Sequence, residues 1–178
     1  MCNRITLNQV ILCEGKHDVQ RLQGLFNTLF LPTHGFQIYN DKQRRALFSK
    51  LAQQRGLIIV TDSDPAGMQI RKFICQGIPT EQITHVFVPR ADIEVEDTDN
   101  AVILAAFERA GLLNARADLH SPPQVDKLQL YRDGFSGKPG AKARYQELLR
   151  ALSLPKHLSA NHFCAIVTEE EYANRPRL

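Results

Sequence analysis

Three acidic side chains stand directly behind apolar, β-branched runs: Glu14 after Gln9-Val10-Ile11-Leu12-Cys13, and Asp62 and Asp64 after Leu57-Ile58-Ile59-Val60-Thr61. Such runs read as strands buried on both faces, as in a parallel sheet. Open parallel α/β sheets bind ligands in the crevice beyond the carboxyl ends of their strands. If the two strands are neighbours, Glu14, Asp62 and Asp64 converge there, and three carboxylates repel one another unless a cation neutralises them. Magnesium suits such a set, because it takes hard oxygen ligands, keeps several waters and accepts phosphate oxygens. Asp62 and Asp64 are two apart and point to one side while the chain stays extended. Glu14, with Gly15 behind it to allow a tight turn, faces them across the strand gap. It is read either as ligand to a second ion or as an unligated general acid or base.

The elements that must position these residues alternate. After the first strand, a helix capped by Asp18 is predicted to run to about residue 30, with Val19, Leu22, Leu25, Phe26 and Leu29 inward. Pro32 and Gly35 end it, and Phe36-Gln37-Ile38-Tyr39 makes a short second strand. Asn40 or Asp41 caps the next helix, to about residue 54, with Ala46, Leu47 and Leu51 inward. Behind the third strand, Asp64 is an N-cap with Pro65 at the first helical position, and the helix runs to Gly77. A fourth strand covers residues 84–88 and ends at Pro89. This alternation predicts a mostly parallel, doubly wound sheet with helices on both faces.

Beyond it lies an acidic stretch with Asp92, Glu94, Glu96, Asp97 and Asp99, then a helix over residues 101–110 capped by Thr98 or Asp97. Residues 112–123 read as a linker between a first domain, 1–111, and a small helical domain, 124–178. Helices are expected there over 125–132, 141–152 and 160–173. The loop Asp133-Gly134-Phe135-Ser136-Gly137-Lys138-Pro139-Gly140 separates the first two.

The net charge is only +3, but it is unevenly spread. Residues 1–121 hold 13 basic and 13 acidic side chains; residues 122–156 hold seven and three, an excess of +4. A neutral domain with an acidic crevice, followed by a basic one, fits a polyanionic substrate. Hydrophobic content of 43% supports a sizeable core. No apolar run approaches the roughly 20 residues needed to cross a bilayer, and no secretory signal is apparent. Cys2, Cys13, Cys75 and Cys164 form no C-x-x-C pair and read as reduced thiols in the cytoplasm, Cys13 and Cys75 buried. The six histidines do not cluster at zinc spacing.

Val10-Ile11-Leu12-Cys13-Glu14-Gly15-Lys16-His17-Asp18, together with Ile58-Ile59-Val60-Thr61-Asp62-Ser63-Asp64-Pro65-Ala66-Gly67, resembles the toprim domain. Within the toprim proteins the chain looks most like the 5S ribosomal RNA maturases of the ribonuclease M-five family. Gly67-Met68-Gln69-Ile70-Arg71-Lys72 matches the helix after the acidic pair. Phe87-Val88-Pro89-Arg90 with Val95-Glu96 resembles the approach to a further acidic residue, and residues 134–144 are similar to a C-terminal glycine loop and basic helix.

The resemblance implies a toprim-type sheet and metal-dependent phosphodiester hydrolysis with one or two Mg2+. It implies Glu14 as acid/base or ligand, Asp62 and Asp64 as magnesium ligands, Glu96 as an extra ligand, and Asp18 and Gly15 as support. Lys138, Lys142 and Arg144, with Lys16 and Arg71, become the residues that hold RNA. The implied substrate is precursor 5S ribosomal RNA, cut on both strands of its terminal helix, and the implied partner is the ribosomal protein that binds 5S RNA. No membrane partner is implied.

Other classes fit less well. Gly137-Lys138 is followed by Pro139 rather than Ser or Thr, so the loop is not a Walker motif. Glu14-Gly15 does not supply the paired acids of a receiver domain, and the chain has no room for a topoisomerase. A toprim DNA nuclease of the old type and a non-catalytic RNA- or ribosome-binding toprim module stay as alternatives.

Overall fold

The computed structural model describes residues 4–33, 41–61, 64–88, 98–113 and 124–176. The chain divides into two compact units, Met1–Leu119 and His120–Leu178.

The first unit is built on four parallel strands: β2 (Val10–Cys13), β4 (Phe30–Pro32), β5 (Leu57–Thr61) and β6 (Ile83–Phe87), in the order β4-β2-β5-β6. A second, two-stranded parallel pair joins β1 (Ile5–Thr6) to β3 (Phe26–Asn27). Every residue of β2 and β5 is buried, as their unbroken apolar runs require. The connections are α1 (Lys16–Gln23), α2 (Lys42–Arg55), α3 (Pro65–Ile74) and α4 (Asn100–Arg109). On one face Ile11, Cys13, Ile58, Val60, Val86 and Val88 pack with Leu22 of α1 and Ile103 and Phe107 of α4. Phe26 and Phe107 stack there at 4.1 Å. Alternate strand residues point to the other face, where α2 and α3 lie because the chain turns from leftward to rightward crossovers.

Several expectations are corrected. The first helix ends at Gln23 rather than near residue 30, with Gly24 after it, and Phe30-Leu31-Pro32 becomes a strand. Helical periodicity lost here to burial: β2 needs a parallel neighbour on that side, and Ile11 N–H donates to Leu29 O at 2.9 Å. Asp18 is not the N-cap. Gly15 holds that place, and Asp18, three residues on, accepts the Gly15 N–H at 3.0 Å. Ala46 is exposed, and Phe48 takes its inward place beside Leu47, Leu51 and Ala52. Cys75 is only half-buried, whereas Cys13 is buried. Asp41 caps α2 through the Arg44 N–H at 2.9 Å. The strand expected at residues 36–39 lies outside the described residues.

The second unit contains α5 (Lys127–Arg132), α6 (Ala141–Ala151), α7 (Ala160–Ile166) and α8 (Glu169–Ala173). Leu130, Leu148, Leu149, Phe163 and Tyr172 form its centre, with Phe163 and Tyr172 meeting edge to face at 6.1 Å. The helix expected over 160–173 is two helices. Val167 is extended and its carbonyl accepts the Val125 N–H at 3.1 Å, and Thr168 starts α8 by a reciprocal cap with Glu171. Among the described residues no helix is long and apolar enough to cross a membrane.

Candidate active site

β2 and β5 are hydrogen-bonded neighbours, with Leu12 opposite Ile59 in parallel register. Glu14 follows β2 and Asp64 opens α3 three residues past β5, so both belong to the carboxyl edge of the sheet. The edge at this point is also the topological switch. β2 leads through α1 to β4 on one side, and β5 leads through α3 to β6 on the other, the arrangement beside which open α/β sheets bind their ligands.

Asp64 is exposed and extended, and its Oδ1 accepts the Gly67 N–H at 2.6 Å, capping α3 with Pro65 behind it. The cap engages only that oxygen. Glu14 is half-buried and lies close enough to act electrostatically on both Cys13 and Arg71. Burial pushes the Cys13 thiol far up, and the Asp18 and Glu14 carboxylates push it further, so this cysteine is a neutral packing residue. Gly15 has φ −135 and open space where a Cβ would be, so neither backbone nor packing there demands glycine. Asp62 and Glu96 lie outside the described residues.

Arg71 corrects its expectation as an RNA contact: it is 3% exposed. From α3 its guanidinium reaches beneath the ends of β5 and β6. Nε donates to Thr61 Oγ1 at 2.7 Å, Nη1 to Ile59 O at 3.0 Å, and Nη2 to Thr61 O at 3.2 Å and Val86 O at 2.6 Å. Nη1 also donates to His85 Nδ1 at 3.1 Å, and the Phe87 ring covers the guanidinium at 4.1 Å. Burial lowers its pKa to about 10, against the raising influence of Cys75 and Glu14, so it stays charged at neutral pH. Arg71 is a brace that fixes Thr61, the residue just before the second acidic station. Beside Lys72 in the sequence, Arg71 carried no local signal of a buried role.

A family model described as Toprim domain matches residues 9–91, which contain both acidic stations. Proteins named Ribonuclease M5 match over longer stretches. The one from Ligilactobacillus salivarius is 35% identical over 76% of this chain and 74% of its own length. The one from Fusobacterium nucleatum is 31% identical over 71% and 68%, and the one from Borreliella burgdorferi 29% identical over 61% and 59%. The chain belongs to the ribonuclease M5 family. Its parallel sheet with helices on both faces is a toprim fold.

The donor set of this family member fits Mg2+. Glu14 and Asp64 are hard oxygen donors on adjacent strand ends, and the cap leaves the second Asp64 oxygen available. No cluster of three or more His, Cys, Asp or Glu side chains forms among the described residues.

The basic side chains divide by role. Arg144 closes the glycine loop, donating from Nε to Gly134 O at 2.9 Å and from Nη2 to Pro139 O at 2.9 Å. Gly140, at φ +73, starts α6 in the left-handed region that favours glycine. Lys138 Nζ donates to Arg132 O at 2.8 Å. Lys142 and Lys16 are exposed. Lys142 is therefore the clean test of a backbone grip, since changing Arg144 would also open the loop. Lys142→Gln is expected to lower the slope of log affinity for RNA against log salt by about 0.7–0.9. An unchanged slope in filter binding would assign Lys142 to a merely solvated face.

Proposed function

We propose that this nuclease is a Mg2+-dependent endoribonuclease that matures 5S ribosomal RNA in the cytoplasm, cutting both strands of the precursor's terminal helix. The ribosomal protein that binds 5S RNA is its partner on that substrate. The observation that carries the reading is the pairing of β2 with β5 at the switch point, which brings Glu14 and Asp64 to one edge.

Asp62 and Asp64 would hold the ion, with Glu14 and Glu96 as further ligands. Mg2+ bound there supplies charge stabilisation for a phosphodiester and a more acidic water. Glu14, half-buried, would take or return a proton at the scissile phosphate. Asp18 holds the Gly15 backbone and thereby the loop that presents Glu14. Arg71 holds the end of β5, so the second acidic station starts from a fixed carbonyl. The helical unit, with its excess of basic residues, supports a grip on the backbone of paired RNA, which is recognised mostly by shape and phosphate contacts.

The test is end-labelled precursor 5S RNA, with and without the ribosomal protein, in Mg2+ or in chelator. Two cuts in the terminal helix are expected in Mg2+, enhanced by the ribosomal protein and absent in chelator. An intact precursor in Mg2+ with the ribosomal protein present refutes the reading.

A further inference from the structure

The helical unit carries an exposed aromatic that its own core does not use. Leu128 and Tyr131 stand one turn apart on α5 and are 53% and 49% exposed, whereas Leu130 between them is buried. Lys127 and Arg132 extend the same outward face, at helical spacings of four from Tyr131 and Leu128. The glycine loop is shaped around this ring. Gly137 has φ +64, and a Cβ there would come within 2.9 Å of Tyr131 Cδ2 and Cε2, so a larger residue would push the ring aside. Lys138, beside it, places its ammonium 5.2 Å from the ring centroid while bonded to the Arg132 carbonyl. Tyr131 is thus seated against the Gly137 backbone with Lys138 over the ring, shares its helix face with a positive rim of Lys127 and Arg132, and is half open to water. The nearby acids are engaged elsewhere: Asp133 accepts from Tyr172 and Arg175, and Asp126 caps α5.

We propose that Tyr131 is a stacking platform for an unpaired nucleobase of bound RNA, with Lys138 and Arg132 taking the flanking phosphates. This rests on the reading of the substrate as RNA. Cations attract the backbone of any nucleic acid, but a seated, open ring adds an interaction that a paired helix cannot satisfy, because its bases are already stacked. The platform therefore serves a loop, bulge or end. A protein partner is disfavoured by the same rim of positive charge unless it is acidic.

The chain has no tryptophan, so Tyr131→Trp puts a single reporter at this place in the full-length protein. The probes are an RNA hairpin with an unpaired loop and a blunt RNA duplex of equal length. At saturation, followed by anisotropy, the hairpin should quench the tryptophan emission by roughly half or more and the duplex only slightly. Tyr131→Ala should bind the hairpin about ten-fold more weakly, the size of one base–aromatic stack, with the duplex affinity unchanged. Its salt slope should also stay unchanged, because no ion pair is lost.

A bound hairpin that leaves the emission unaltered overturns the proposal, as does an equal loss of hairpin and duplex affinity in Tyr131→Ala. A tryptophan that responds to the 5S-binding ribosomal protein without RNA, and not to the hairpin, gives the face to protein and also overturns it. Failure of the wider reading is seen separately. The wild-type chain then leaves precursor 5S RNA uncut, while the hairpin quench still decides the platform.

Discussion

Asp64→Asn is expected to lower cleavage of precursor 5S RNA by about a thousand-fold or more, through loss of several kcal/mol of transition-state stabilisation. The folded state should barely notice. Asp64 accepts the Gly67 N–H as the cap of α3, and asparagine caps as well as aspartate. Only the charge that the proposed Mg2+ site would use is removed. Asp64→Ala removes both, and should add a loss of about 1 kcal/mol in unfolding free energy from the missing cap. Comparing the two variants separates chemistry from folding, which alanine alone cannot do. Asp62→Asn and Glu14→Gln should reproduce the loss of cleavage. Full activity of Asp64→Asn in saturating Mg2+ would remove this residue from the metal site.

The largest effect on stability is expected at Arg71. Its guanidinium satisfies three backbone carbonyls, those of Ile59, Thr61 and Val86, together with Thr61 Oγ1, and it is almost wholly enclosed. Arg71→Met fills much of the volume but removes every one of these donors. Each bond to a charged donor typically contributes about 1.5–3 kcal/mol, with strong non-additivity. We expect a loss of about 3–4 kcal/mol in urea unfolding, which corresponds to a fall in Tm of roughly 6–16 °C for a chain of this size. Arg71→Lys should recover less than half of it. A compact ammonium on a flexible stem cannot reach acceptors on two strands at once as a planar fork does. A methionine variant within about 1 kcal/mol of wild type would show that water replaces the brace, since the net value of a satisfied bond is only of that order.

Local chemistry alone made much of the site legible. Val10–Cys13 and Leu57–Thr61 are strands because their apolar runs suit burial on both faces, and Asp64-Pro65 starts a helix because its side chain and ring satisfy that geometry. Asp41 and the glycine loop before α6 followed the same logic. Periodicity misled where two structures share it. Val19 to Leu29 reads as one amphipathic helix, yet the open edge of β2 drew residues 30–32 into the sheet. Likewise Ala160 to Ala173 is broken where Val167 pairs with Val125 and Thr168 caps anew.

What the amino-acid order determined by itself was the identity of β2, β5 and β6, the caps at Asp41 and Asp64, and the acidic residues behind the strands, because those depend on neighbours a few positions away. Which strands adjoin, and therefore that Glu14 and Asp64 share an edge, was decided by packing across tens of residues. The fate of Arg71 was decided in the same way. A cation in an exposed-looking basic pair became a buried brace because the ends of β5 and β6 presented carbonyls that nothing nearer in the chain supplied. Burial and hydrogen-bond demand are properties of the assembled sheet, and no local pattern encodes them.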